Sequence, residues 1–97
     1  MISFDEARKL ASSRIAELEN VAECELVVLE EKTKDVERGW LFFYDSKLHQ
    51  ETGEFRYALA GNGPIFIDRN GTLRHLPTYT SWQEGLKPVL AEMRDDH

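Results

Sequence analysis

Gly39-Trp40-Leu41-Phe42-Phe43-Tyr44-Asp45-Ser46, then after a polar stretch Tyr57-Ala58-Leu59-Ala60-Gly61-Asn62-Gly63-Pro64-Ile65-Phe66-Ile67-Asp68-Arg69, decide the fold. Aromatic and β-branched residues broken by Gly and Asn are strand-turn-strand composition. Alternation puts Trp40, Phe42 and Tyr44 on one face and Leu41, Phe43 and Asp45 on the other. The first set is bulky enough to support a helix laid across a sheet. A strand is therefore read over 37–46, with Gly39 marking a bulge or a close approach. A further strand is read over 55–60, where Ala58 and Ala60 leave space for another element. Gly61-Asn62-Gly63 makes the next turn, because glycine allows positive φ and asparagine tolerates it. Pro64 has no N–H to donate and stands at the start of a strand over 65–68. Asn70-Gly71 predicts a type I′ two-residue hairpin into a strand over 72–76, which Pro77 ends.

Working outward, Ser3-Phe4-Asp5-Glu6 forms a capping box, with Ile2 and Ala7 placed as a hydrophobic staple. Phe4, Ala7, Leu10, Ala11, Ile15 and Leu18 recur at helical spacing and predict a helix over 3–20, ended by Asn20. A strand follows over 25–34. Its centre, Leu26-Val27-Val28-Leu29, is apolar on both faces, which leaves a sheet-mediated homodimer open. The polar stretch 47–54 reads as a surface loop with room for one helical turn. Ser81 with Glu84 is a second capping box, and Trp82, Leu86, Val89, Leu90 and Met93 form one stripe of a helix over 81–94. Pro88 removes the bond to the Glu84 carbonyl, so a kink is expected and continuity through Gly85 and Pro88 is for the structure to decide. Consecutive strands with short connections pair antiparallel. The predicted architecture is α+β: an antiparallel meander of about five short strands flanked by an N-terminal and a C-terminal helix.

The 97 residues suit one domain spanning 1–97, with a modest core. Hydrophobic residues make up 41% and charged ones 31%, which is globular rather than disordered composition. The net charge of −6 repels phosphate backbones, so no nucleic-acid partner is expected, whereas a basic protein partner is compatible. A single cysteine, Cys24, forbids an internal disulfide and, with the charged N-terminus, points to the cytoplasm. No apolar run approaches the length of a signal sequence or membrane span, so no membrane association is expected.

Residues capable of chemistry are few. Gly61-Asn62-Gly63 is not a phosphate loop: it lacks the Gly-Lys pattern and precedes a strand, not a helix. His49, His75 and His97 are scattered, and no zinc spacing exists, so no metal or other cofactor is expected. Cys24 with His75 is a conceivable nucleophile and base, but a structural cysteine is much commoner. Asp45 and Asp68 as an acid-base pair are weighed against plain roles, Asp45 ending a strand and Asp68 bonding the Asn70-Gly71 turn; the plain roles win. Trp40, Phe42 and Tyr44 as a base-stacking platform would need more Lys and Arg than Arg38 and Lys47. Core packing explains them better. The acidic groups Glu17-Glu19-Glu23-Glu25 and Glu30-Glu31-Asp35-Glu37 are either a docking surface or a solvated one.

The order Gly39-Trp40-Leu41-Phe42-Phe43-Tyr44-Asp45-Ser46, Tyr57 to Ile65, and Asp68-Arg69 resembles the immunity protein 35 family, also called the YrhB domain. The approach to the last helix, Thr78-Tyr79-Thr80-Ser81-Trp82, departs from that pattern. The resemblance implies a small bacterial protein of the polymorphic-toxin type that neutralises a cognate toxin by direct contact, without catalysis. The contact residues then expected, all from loops or strand ends, are Asp35, Glu37, Asp45, Glu51, Glu54, Asn62 and Tyr79. An alternative is a chaperone-like holdase that binds non-native chains through an apolar patch. A small hydrolase is a third class, for which no constellation is present.

Overall fold

The computed structural model describes residues 1–22, 24–54, 63–78 and 80–94. The order of elements is α1 (Phe4–Ala22), β1 (Leu26–Val28), a 3-10 turn (Glu30–Lys32), β2 (Lys34–Val36), β3 (Gly39–Phe42), β4 (Tyr44–Ser46), α2 (Lys47–Thr52), β5 (Ile65–Asp68), β6 (Leu73–His75) and α3 (Trp82–Arg94). All pairing among these strands is antiparallel, in a four-stranded sheet ordered β2-β3-β5-β6 and a two-stranded sheet of β1 and β4. The architecture is α+β with a helix at each end, as expected. The strand expected over 55–60 lies outside the described residues.

The central pair, β3 and β5, is buried along its whole length. Alternation along the two strands feeds two separate clusters. Trp40, Phe42, Ile65 and Ile67 face α1 and pack with Ala7, Ala11, Ile15 and Leu26. Leu41 and Phe66 face the other way, against Leu76 and Leu86, with Trp82, Val89, Leu90 and Met93 of α3 alongside. One helix thus covers each face of the sheet. Ala7 and Ala11, both fully buried, let α1 come close enough to seat the large rings of Trp40 and Phe42. Phe4 meets Trp40 edge-on at 6.2 Å and stacks on Phe42 at 5.8 Å between ring centroids. Full burial of Phe42, Phe66, Leu41, Ile65 and Ile67 contributes about 1.5–3 kcal/mol each before conformational entropy is counted.

Both helices start on their predicted caps. The Glu6 N–H donates to Ser3 Oγ at 3.2 Å, and the Glu84 N–H to Ser81 Oγ at 3.3 Å. The reciprocal carboxylate bonds differ from the expected boxes. Glu6 accepts from the Ser3 hydroxyl, and Glu84 from Lys87 Nζ. The last helix runs unbroken through Gly85 and Pro88. Glu84 and Pro88 lie on its exposed side, where water can take the freed carbonyl. Gly85 is buried because α3 presses on the Leu76-Pro77 segment there; an added Cβ would meet Pro77 Cδ at 3.1 Å.

Three connections differ from the sequence reading. The run 25–34 is not one strand. Glu30-Glu31-Lys32, polar on both faces, curls into a 3-10 turn between β1 and β2. The apolar double face of its first half is covered within the chain, with Leu26 in the α1 cluster and Leu29 only 8% exposed. The run 37–46 breaks into β3 and β4 at Phe43, whose carbonyl accepts from the Leu29 N–H. At Asn70-Gly71 the loop has three residues, not two. Gly71 N–H donates to the Asp68 carbonyl and Asp68 N–H to the Thr72 carbonyl, with positive φ at Gly71 alone (90°). This is the turn-plus-bulge hairpin rather than type I′, which needs positive φ at both central residues.

Gly39 marks a close approach, one of the two sequence options. A Cβ there would lie 2.3 Å from the Ile67 carbonyl oxygen and 2.9 Å from Asp68 Cα. Gly53, with φ of 71°, has open space around it. Gly39→Ala should therefore cost more than the ~1–2 kcal/mol expected for a left-handed alanine in Gly53→Ala. Trp40→Ala should cost about 3–5 kcal/mol. Urea melts of the three variants give the order; equal losses for the two glycines would remove the close-approach explanation.

Candidate functional site

The two halves of the opening motif meet across β3 and β5. Gly39 pairs with Asp68 and Trp40 with Ile67. The Arg69 guanidinium lies 4.6 Å from the centroid of the Trp40 ring and donates to Asp35 Oδ1 at 3.2 Å. Asp68, 5% exposed, accepts from the N–H groups of Asn70 (2.9 Å) and Thr72 (3.0 Å) through one oxygen. Its other oxygen accepts from Arg74 Nη1 at 3.2 Å. Asp68 bonds the turn, the plainer of its two sequence readings. Trp40 and Phe42 are buried under α1, so they form no stacking platform. Gly63 of the Gly-Asn-Gly-Pro run abuts Leu76, whose carbonyl oxygen would stand 1.8 Å from an added Cβ. The motif residues described here therefore hold β3, β5 and the β6–α3 segment together.

The expected contact residues fall into two groups, at opposite ends of the run 39–46. Asp35 and Glu37 belong to the β2–β3 hairpin, both exposed. Asp35 is bonded to Arg69. Glu37 precedes Arg38, the non-glycine residue with φ of 68°, whose Nη1 reaches the Met93 carbonyl at the end of α3. At the other end are Asp45, Glu51 and Glu54. The Asp45 side chain is only 14% exposed. It accepts from the Ser46 N–H (2.7 Å), from Gln50 Nε2 (2.8 Å) and bonds the His49 ring. Glu51 and Glu54 are exposed, on α2 and just after it. Asn62 and Tyr79 lie outside the described residues.

α2 fills most of the stretch 47–54, which the sequence reads as a surface loop with room for one helical turn. Ser46 caps it, accepting from the His49 N–H at 3.0 Å, and Gly53 closes it in the left-handed conformation. Beside it lies a groove of about 310 Å³ lined by Cys24, Glu25, Ser46, Lys47, Leu48 and Glu51. Lys47 Nζ is 3.3 Å from Glu25, and that hydrogen bond and charge raise its pKa above the usual lysine value. Leu48 is 48% exposed. The sequence reading passed over it; a leucine inside a charged stretch was the available signal. Cys24 faces this groove, whereas His75 on β6 uses Nε2 to accept from Arg14 Nε at 3.0 Å, so that nitrogen is not a base for Cys24. Partial burial, and next the Arg14 charge, push the His75 pKa down from 6.5. Burial likewise raises that of Tyr44. Among the described residues no three His, Cys, Asp or Glu side chains cluster as metal ligands would, and no helix is long and apolar enough to cross a membrane.

Fold and geometry together define a small α+β protein whose described motif residues build the scaffold, with the side chains of Asp45, Ser46, Asp68 and Arg69 bonded to the chain itself. The sequence profile of immunity protein 35 matches residues 5–88, and the chain belongs to that family. No curated protein and no solved structure matches it.

Two measurements test these local assignments. Asp45→Ala should remove the bonds that seat α2, at a cost of about 1–3 kcal/mol, and should speed amide exchange in residues 49–53. Unchanged exchange there would mean that Ser46 alone holds the helix. Because the His75 pKa is lowered on folding, the unfolded chain binds more protons below pH ~6.5. Its contribution is full above pH ~6.5 and is lost as pH falls toward the lower folded value. His75→Gln should flatten that part of the stability–pH curve.

Proposed function

We propose that this chain acts as a single immunity domain, binding one cognate polymorphic-toxin domain in the bacterial cytoplasm and blocking it by contact rather than by catalysis. The observation that carries this reading is family membership over residues 5–88. Support for a non-catalytic role comes from the motif itself. Gly39 and Gly63 serve close packing, and the Asp68 carboxylate is taken up by the hairpin and Arg74. The net charge of −6 fits a basic partner, whose approach the exposed carboxylates would speed.

Co-expression with the product of the neighbouring gene tests the proposal. Growth should be restored, and a one-to-one complex should be recovered from the lysate. Its association rate should fall as salt rises, because exposed charges are screened within about 8–10 Å at physiological ionic strength, while dissociation changes less. Unrelieved toxicity with no complex at micromolar concentration would overturn the reading for that pair. Recovery of many unrelated clients instead would favour a holdase.

A further inference from the structure

We propose that the groove beside α2 is where the partner docks, and that it receives a protein segment presenting a lysine or arginine next to an apolar side chain. This rests on the immunity reading above and assigns it a face. Two carboxylates, Glu25 and Glu51, line the groove against one ammonium, Lys47, which is already bonded to Glu25. A cation entering here meets an acidic rim, whereas a phosphate or an acidic peptide is repelled.

The apolar part of the match is Leu48. It is 48% exposed and lines the groove together with Cys24. Val21, 82% exposed, stands three residues before Cys24 in the last turn of α1. An apolar centre with a charged rim is the usual anatomy of a contact centre. At about 310 Å³ the groove sits at the lower limit for small-molecule sites, but it has room for one long side chain. Its floor is fixed. The Ser46 hydroxyl and the Asp45 carboxylate hold the first turn of α2, and Glu19 Oε2 accepts from the Leu26 N–H, tying the end of α1 to β1. Asp45 is in this view a positioning residue for the surface that Lys47, Leu48 and Glu51 present.

The test uses the full chain and the product of the neighbouring gene. Leu48→Lys should weaken the complex by at least about tenfold. Glu51→Lys should slow association several-fold at low salt and little at high salt. Glu92→Lys, the same charge change on the exposed side of α3, should leave both affinity and rate unaltered. Thermal melts matching the parent keep the comparison valid, because Leu48, Glu51 and Glu92 are all surface residues. Amide shifts mapped in the complex should move in residues 45–52. A complex that forms with unchanged affinity in Leu48→Lys and Glu51→Lys, or with shifts confined elsewhere, overturns the groove while leaving the immunity reading intact. If no complex forms with the parent chain, both fall.

Discussion

The backbone of Gly39 lies against the backbone of Ile67 and Asp68, too close for any side chain at that position. This contact sets the approach of β3 to β5, and the other layers follow from it. Once the two strands pair from Gly39–Asp68 to Phe42–Ile65, their side chains divide by alternation. Trp40, Phe42, Ile65 and Ile67 create one apolar face, and Leu41 and Phe66 the other. A sheet that is apolar on both sides needs a cover on both sides. The amphipathic helices at the two ends of the chain supply those covers. Gly63 continues the same theme against the Leu76-Pro77 backbone, and Gly85 lets α3 close on the Pro77 ring.

Much of this was legible because it rests on period and composition. The alternation of Trp40, Phe42 and Tyr44 named the face that α1 covers, and the Ser3 and Ser81 caps fixed both helix starts. What was not legible depends on competition between local bonds. Asn70-Gly71 favours a two-residue turn in isolation. The Asp68 carboxylate takes the N–H groups of Asn70 and Thr72, and this accompanies a loop longer by one residue. Arg38 holds φ of 68° although it is not glycine, and its bond to the Met93 carbonyl is a tertiary contact that turn propensity cannot anticipate. In the run 25–34, Leu26 to Leu29 gave a true strand signal. The following Glu30-Glu31-Lys32 had no buried face to keep it extended, and it closed into a 3-10 turn instead.

The candidate surface was less legible than the fold, for a reason of scale. Charge counting treats every carboxylate as available, but their surroundings differ widely. Asp45 and Asp35 were both expected to meet a partner. Asp45 is bonded to Ser46, His49 and Gln50 at the start of α2, and Asp35 is bonded to Arg69 over the Trp40 ring. Glu37 and Glu51 keep exposed positions. Leu48 carries no charge and no motif; its one local mark is being a leucine inside a charged stretch, and the short helix leaves it 48% exposed.

The division of labour between these residues has a physical consequence. Motif residues such as Gly39, Trp40, Gly63 and Asp68 are fixed by close packing or by bonds within the chain, so altering them costs stability rather than re-specifying the surface. Asp35 and Glu37 beside the β2–β3 turn are exposed, and in α2 no residue is buried. Substitution there changes charge and shape at small cost in stability, since exposed positions away from caps and cores usually shift stability by only about 0.5 kcal/mol. The proposed one-partner role would gain from this separation, because specificity is a difference of affinities that is tuned at the surface while the scaffold stays as it is. The short helix, seated by Ser46 and Asp45 yet open on its outer side, is the element of this fold best placed to carry such tuning.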